Sequence, residues 1–157
     1  MMTKEEFEQE IQRIRPQMVV TARRYLDDAE EAEDAVQEVL LRLWQMVDSL
    51  RLPIHSLAGI LTRNLCIDKV RRRKPLLRME QVADVGEEPA DGGLLEHTMS
   101  IIETLPAMQQ TIIRLRHMEG MEMKDIAQLT GMTEVAVRKA LSRARKAVAM
   151  KVMEKKQ

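Results

Sequence analysis

Leu105 to Val148 reads LPAMQQTIIRLRHMEGMEMKDIAQLTGMTEVAVRKALSRARKAV, the spacing of a helix-turn-helix whose second helix is loaded with Arg and Lys. Lys124 to Leu129 forms a short amphipathic helix, Gly131 supplies a left-handed turn residue, and Thr133 is a good N-cap for the next helix. On that second helix Val137, Leu141, Ala144 and Val148 recur at steps of four, three and four, so they face a core. Arg138, Lys139, Ser142, Arg143, Arg145 and Lys146 point elsewhere. A cationic helix displayed this way suits a DNA major groove. Upstream, from about Thr98, the residues Ile101, Ile102, Leu105, Met108, Ile112 and Leu115 make an apolar stripe that supports the motif.

Among 157 residues, 45% are apolar, yet only Phe7, Tyr25 and Trp44 are aromatic, and thirteen are Met. Aliphatic residues and Met must fill the interior, which favours helix packed on helix over a many-stranded fold. The 25 basic and 25 acidic residues cancel, but they are not mixed. Asp27 to Glu38 carries seven acids and no base; Arg63 to Lys74 carries six bases against Asp68. Met79 to Glu103 carries seven acids and no base; Glu134 to Gln157 carries eight bases against two acids. Four alternating blocks are hard to explain as a generic solvated surface.

The amino-terminal half, from about Lys4 to Lys74, reads as a helical bundle. Phe7, Ile11, Ile14, Met18, Ala22, Tyr25 and Leu26 keep a helical period, with Pro16 expected to break it or to start a second helix. After a turn at Asp27 to Ala29, the helix from about Glu30 to Met46 has two ordered faces. Ala32, Ala35, Val36, Val39, Leu40 and Leu43 make the buried stripe. Asp34, Gln37, Glu38, Leu41 and Gln45 make the other, an acidic face with an apolar centre that fits docking on a partner protein. Arg51 to Ser56 is a loop containing Pro53, and Ser56 is expected to cap a helix that runs to about Lys74. Leu57, Ile60, Leu61, Leu65, Ile67 and Val70 hold that helix on the bundle, while Asn64, Asp68, Arg71 and Arg72 lie near one edge. The macrodipole accounts for one or two of the four charges at Arg71 to Lys74; the rest suggest phosphate contacts.

From Pro75 to about His97 the composition turns acidic, with two prolines and three glycines, the signature of a flexible linker. Its residues span about 24 to 29 Å as a coil and up to about 80 Å drawn out. The fold expected is therefore all-α, with two small helical domains, residues 1–74 and 98–157, joined by the acidic linker 75–97.

Three segments in this order, EEAEDAVQEVLLRLW at Glu30 to Trp44 with RNLCIDKVRRRK at Arg63 to Lys74 and the LP-x-M-Q-Q helix-turn-helix, resemble those of a bacterial RNA polymerase sigma factor of the extracytoplasmic-function (ECF) group. The resemblance implies that Asp34, Gln37, Glu38, Leu41 and Trp44 dock on the clamp helices of the beta-prime subunit of core RNA polymerase, with further contacts to the beta subunit. It implies that Asn64 touches a base or sugar of the melted minus-10 element, and that Lys69, Arg71, Arg72 and Arg73 hold phosphates there. The second module is implied to read the minus-35 element through Arg138, Lys139, Ser142 and Arg143, with Thr133 and Glu134 at the helix start. A restraining anti-sigma factor is a further partner such relatives often have. The chain departs from the family pattern at Leu57 and Ala58, where an aromatic residue is common, and at Ala136 and Ala140, where polar residues are common. Strand melting and the upstream sequence read are therefore its own.

No catalytic chemistry is legible. There is no Gly-rich phosphate loop, no Ser or Cys paired with a His at motif spacing, and no carboxylate pair in a catalytic context. His55, His97 and His117 lack metal-ligand spacing, and Cys66, the only cysteine, sits in an apolar run as an inert thiol. Neither a cofactor nor a small-molecule substrate is expected. With no signal sequence and no apolar run approaching about 18 residues, the expected location is the cytoplasm. A stand-alone helix-turn-helix regulator is the alternative reading, but it leaves the two-faced acidic helix and the Arg63 to Lys74 block without a role.

Overall fold

The computed structural model describes residues 2–73 and 92–155. Their regular elements are helices: α1 Lys4–Tyr25, α2 Ala29–Gln45, α3 His55–Arg73, α4 Gly92–Glu103, α5 Ala107–His117, α6 Met123–Thr130 and α7 Glu134–Lys155. No strand occurs among the described residues.

α1 starts on a capping box. The Glu6 N–H donates to Thr3 Oγ1 at 3.1 Å and the Thr3 N–H to Glu6 Oε1 at 3.2 Å. The break expected at Pro16 does not occur, because α1 runs through it. Pro16 lies on the exposed side, whereas Phe7, Glu10, Ile14, Met18 and Ala22 share one buried side on both sides of it. Burial of that continuous stripe outweighs the roughly 3 kcal/mol that an interior proline costs. Glu10 is buried with its carboxylate on the Arg13 guanidinium, whose Nε donates at 2.7 Å.

Asp28 caps α2, accepting from the Glu30 N–H at 3.2 Å. Ala32, Ala35, Val36, Val39 and Leu43 are buried, as the sequence stripe predicts, with Leu40 partly so. α3 begins one residue before Ser56, so Ser56 sits inside the first turn and is not its cap. The backbone of Ile54 takes the start position, its carbonyl accepting from the Ala58 N–H at 2.9 Å. Ile54 is fully buried, and this anchoring places the helix start ahead of the serine. The loop between α2 and α3 is pinned by Leu50 and Ile54, both 0% exposed, and contains a cis Leu52–Pro53 bond.

α4 begins at Gly92, inside the segment 75–97 whose composition is that of a linker. Leu95, Met99 and Ile102 recur at steps of four and three, so the helical period reaches back into the segment that composition marked as linker. Residues 74–91, which hold the rest of the linker including Glu80, Asp84, Glu87, Glu88 and Asp91, lie outside the described residues. α4 to α7 pack around Ile112, Leu115, Ile126 and Leu141, each at most 1% exposed. The buried Gln110 closes the α4–α5 corner, its Nε2 donating to the Ile102 carbonyl at 3.0 Å, and on the surface Thr104 Oγ1 accepts from Lys151 Nζ of α7 at 2.6 Å.

The two helical groups also pack on each other, α5 against α2 and α6 against α3. α5 is consequently buried almost all round: Gln110, Thr111 and Arg114 are enclosed along with Ile112, Ile113 and Leu115.

Candidate nucleic-acid interface and docking face

The corner between α6 and α7 has the expected geometry. Gly131 takes φ of 77°, in the left-handed region that side chains resist, and its N–H donates to the Ala127 carbonyl at 2.8 Å. Thr130 stays helical with its hydroxyl on the Ile126 carbonyl at 2.8 Å, and that hydroxyl accepts from the Met132 N–H at 3.3 Å. Thr133 Oγ1 accepts from the Ala136 N–H at 3.1 Å, capping α7. Val137, Leu141 and Ala144 are buried, so Thr133, Glu134, Arg138, Lys139, Ser142 and Arg143 are held exposed. Arg145 also lies on the surface, but its Nε donates to His117 Nε2 at 3.1 Å. That contact requires an unprotonated ring nitrogen. The crowding of the ring by its surroundings, and next the Arg145 charge, hold the His117 pKa below the ordinary imidazole value.

On α2, the side chains of Asp34, Gln37, Glu38, Leu41, Trp44 and Gln45 are exposed together, with Leu41 56% and Trp44 41% accessible. The Trp44 ring leans on Phe7 at 5.4 Å between centroids and 55° between planes, which fixes the indole while leaving one side open. An apolar centre ringed by carboxylates and amides suits a partner surface that sets basic residues around an apolar patch.

The third set is less available than its sequence suggests. Asn64 and Lys69 are half-buried on α3, and Arg71, Arg72 and Arg73 are exposed. Yet Arg72 is paired with Glu103 and Arg73 with Glu31. Nearby, Arg63 meets Glu119 at 2.7 Å, and Asp68 accepts from Arg114 Nη1 at 2.6 Å. Three of these four partners, Glu103, Arg114 and Glu119, belong to the second helical group. Residue-by-residue sequence reasoning missed them, because a polar residue beside an apolar stripe reads as solvated.

The α2–α3 loop reaches both groups. The Arg51 N–H donates to the Thr130 carbonyl at 3.3 Å, and the Arg51 side chain lies against Gly131. A hollow of about 230 Å³ between them is lined by Asp48, Ser49, Leu50 and Arg51 on one side and Gly131, Met132, Thr133 and Ala136 on the other. On the far side of the loop, Met2, Glu6, Arg51 and Leu52 line an open hollow of about 430 Å³.

Burial pushes the Cys66 thiol above its ordinary pKa, which keeps it protonated and unreactive at neutral pH. Among the described residues no cluster of His, Cys, Asp and Glu has the makings of a metal site, and no helix is long and apolar enough to cross a membrane.

Two helical groups, one ending in a helix-turn-helix with a cationic second helix and the other carrying an exposed acidic and apolar helix face beside basic residues, have the layout of a two-module protein with surfaces suited to DNA and to a protein partner. Comparison with known proteins gives the family. Residues 11–75 match Sigma-70 region 2 and residues 97–148 match Sigma-70 region 4, together well over half the chain. The chain belongs to the sigma-70 family of RNA polymerase sigma factors, in its ECF group. It is 33% identical over 142 residues to a probable RNA polymerase sigma factor, RfaY, of Xanthomonas campestris pv. campestris; the match takes in 82% of this chain and 36% of that protein. It is 27% identical to the RNA polymerase sigma-E factor of Streptomyces coelicolor, over 88% of this chain and 81% of that one. The ECF RNA polymerase sigma factor SigM of Mycobacterium tuberculosis is also 27% identical, over 88% of this chain and 73% of its own length. A solved sigma factor RpoE from Bartonella quintana, in complex with the anti-sigma factor NepR, superposes with a TM-score of 0.41 at 25% identity, covering 92% of this chain and 94% of that one.

Proposed function

We propose that this chain binds core RNA polymerase and directs promoter recognition and transcription initiation, with no bond made or broken by its own residues. The observation that carries the reading is the coexistence of two cationic sets, on α3 and on α7, with an exposed acidic and apolar helix face on α2. A stand-alone regulator has use for the first but no use for the second.

In this reading Asp34, Gln37, Glu38, Leu41 and Trp44 form the polymerase-docking face, with Leu41 and Trp44 as its desolvated anchors. Asn64, Lys69, Arg71, Arg72 and Arg73 engage the melted minus-10 strand. Thr133, Glu134, Arg138, Lys139, Ser142 and Arg143 read the minus-35 element from the major groove, where an Arg can bond a guanine edge with two donors. The domains are assigned as 1–74 and 98–157, with the segment between acting as a tether. Elements two helical turns apart lie roughly 70 Å from each other, beyond the coil dimension of the tether, so the polymerase must hold it extended. The site of action is the cytoplasm, and an anti-sigma factor is a further expected partner.

Transcription reconstituted from core polymerase, genomic fragments and this chain tests the proposal. Promoter-specific transcripts that vanish when Leu41→Lys is introduced are the expected result. Association with promoter DNA but none with core polymerase would leave the regulator reading in its place.

A further inference from the structure

α7 carries two stripes of the same spacing. Val137, Leu141, Ala144 and Val148 recur at steps of four, three and four, and the first three of them are buried. Val135, Lys139, Ser142 and Lys146 repeat those steps two residues earlier, about 200° further round the helix, and all four are exposed. They form the side of α7 farthest from the core. Val135 is the apolar member of this stripe, 60% exposed where Val137 is fully buried.

A lone exposed valine is ordinary on a protein surface, so its setting has to say what covers it. Val135 lies in the first turn of α7, which is fixed by the Gly131 corner and by Thr133 Oγ1 accepting from the Ala136 N–H at 3.1 Å. The first residues of a recognition helix are the ones that meet base edges in the major groove. Exposed Arg138 and Lys139 lie one turn on, beside the same side chain, and such cations favour a polyanion over an apolar protein patch. Among the groups that base pairs present in that groove, the apolar one is the thymine C5-methyl. Valine in a helix is held largely in one χ1 rotamer. Its methyls are therefore in place before binding, and the contact loses little freedom when it forms.

We propose that Val135 is a specificity-determining residue that selects a thymine in the minus-35 element by packing on its C5-methyl, between the polar contacts of Arg138 and Lys139. This rests on the reading of α7 as the helix that enters the major groove there. It adds an apolar readout to a helix whose other exposed side chains in the first turns are polar or charged.

The experiment uses the full chain assembled with core polymerase and promoter duplexes in which each thymine of the minus-35 element, on either strand, is replaced singly by deoxyuridine. That replacement removes the C5-methyl and leaves the pairing edge as it was. At one thymine it should weaken binding by about fourfold, the worth of one buried methyl group. Val135→Ala should bind the thymine duplex about as weakly as the wild type binds the deoxyuridine one, and should lose less than about twofold more on replacement. Alanine is the better helix former and the site is exposed, so the variant folds as the wild type does. Met150→Ala removes an equally exposed apolar side chain about 22 Å further along α7 and should keep the full dependence on the methyl. The proposal is overturned if no replacement weakens the wild type, or if the sensitive replacement weakens Val135→Ala as much as the wild type. Specific initiation without methyl dependence removes the contact and leaves the sigma-factor reading standing. A chain that never joins core polymerase, yet shows the same paired dependence on duplex alone, keeps the contact and removes that reading.

Discussion

Gly131 and Gly120 offer a matched pair of perturbations. Both take positive φ, 77° and 69°, so an alanine at either position carries the same kind of backbone strain, about 1 to 2 kcal/mol. They differ in their surroundings. A Cβ on Gly120 meets nothing within 4 Å, whereas one on Gly131 falls 2.6 Å from Arg51 Cβ, 3.1 Å from its Cγ and 3.1 Å from its backbone nitrogen. Carbon atoms rest at about 3.5 to 4.0 Å, so the loop must retreat by about 1 Å. Arg51 Cβ is fixed to the main chain and cannot rotate aside. Retreat also stretches the Arg51 N–H bond to the Thr130 carbonyl, already 3.3 Å, a loss of about 0.5 to 1.5 kcal/mol. The least costly relief is separation of the two helical groups. Gly120→Ala should lower the melting temperature by about 2 to 8 °C, at 2 to 4 °C per kcal/mol for a chain of this size, with unchanged dimensions. Gly131→Ala should show the same local strain together with an increased radius of gyration by scattering. Identical radii for the two variants would refute the packing of Arg51 on the helix-turn-helix corner.

Other outcomes follow from the same geometry. Arg138→Ala should cost about 1 to 3 kcal/mol of promoter affinity and relax preference at one base pair, measured by binding to a panel of minus-35 variants. Lys146→Ala should instead weaken all sequences alike and reduce the salt slope by about 1. Leu141→Ala, at a site 1% exposed, should destabilise the second module by about 2 to 5 kcal/mol in thermal unfolding. Leu41→Ala, at a site 56% exposed, should leave the melting curve within about 0.5 kcal/mol and weaken polymerase association in a pull-down. The His117 pKa is depressed in the folded chain, so the folded state binds this proton less readily than the unfolded one. The associated stability is present above the ordinary imidazole value and is lost as pH falls through the depressed one. NMR titration should find the His117 midpoint low, and Arg145→Ala should raise it part of the way, since crowding of the ring is the larger cause.

The helix-turn-helix was legible because its information is local. Gly131 and Thr133 act within four residues of themselves, and the period of Val137, Leu141 and Ala144 decides which side chains α7 exposes. The acidic face of α2 was legible for the same reason. Pro16 was misread because the cost of a proline is local but the burial that overrides it, Phe7 through Ala22 against α2 and α3, is not. Ser56 was misread because the buried Ile54, a long-range contact, sets where α3 starts.

Helical period and charge blocks, properties that a chain carries along its own length, determined the all-α fold, the cationic side of α7 and the acidic side of α2. Only the tertiary structure decided that Arg63, Asp68 and Arg72 meet Glu119, Arg114 and Glu103. Partners 31 to 56 residues apart are brought together by packing of α5 and α6 on the first bundle, and no periodicity within either segment encodes which distant charge will face it.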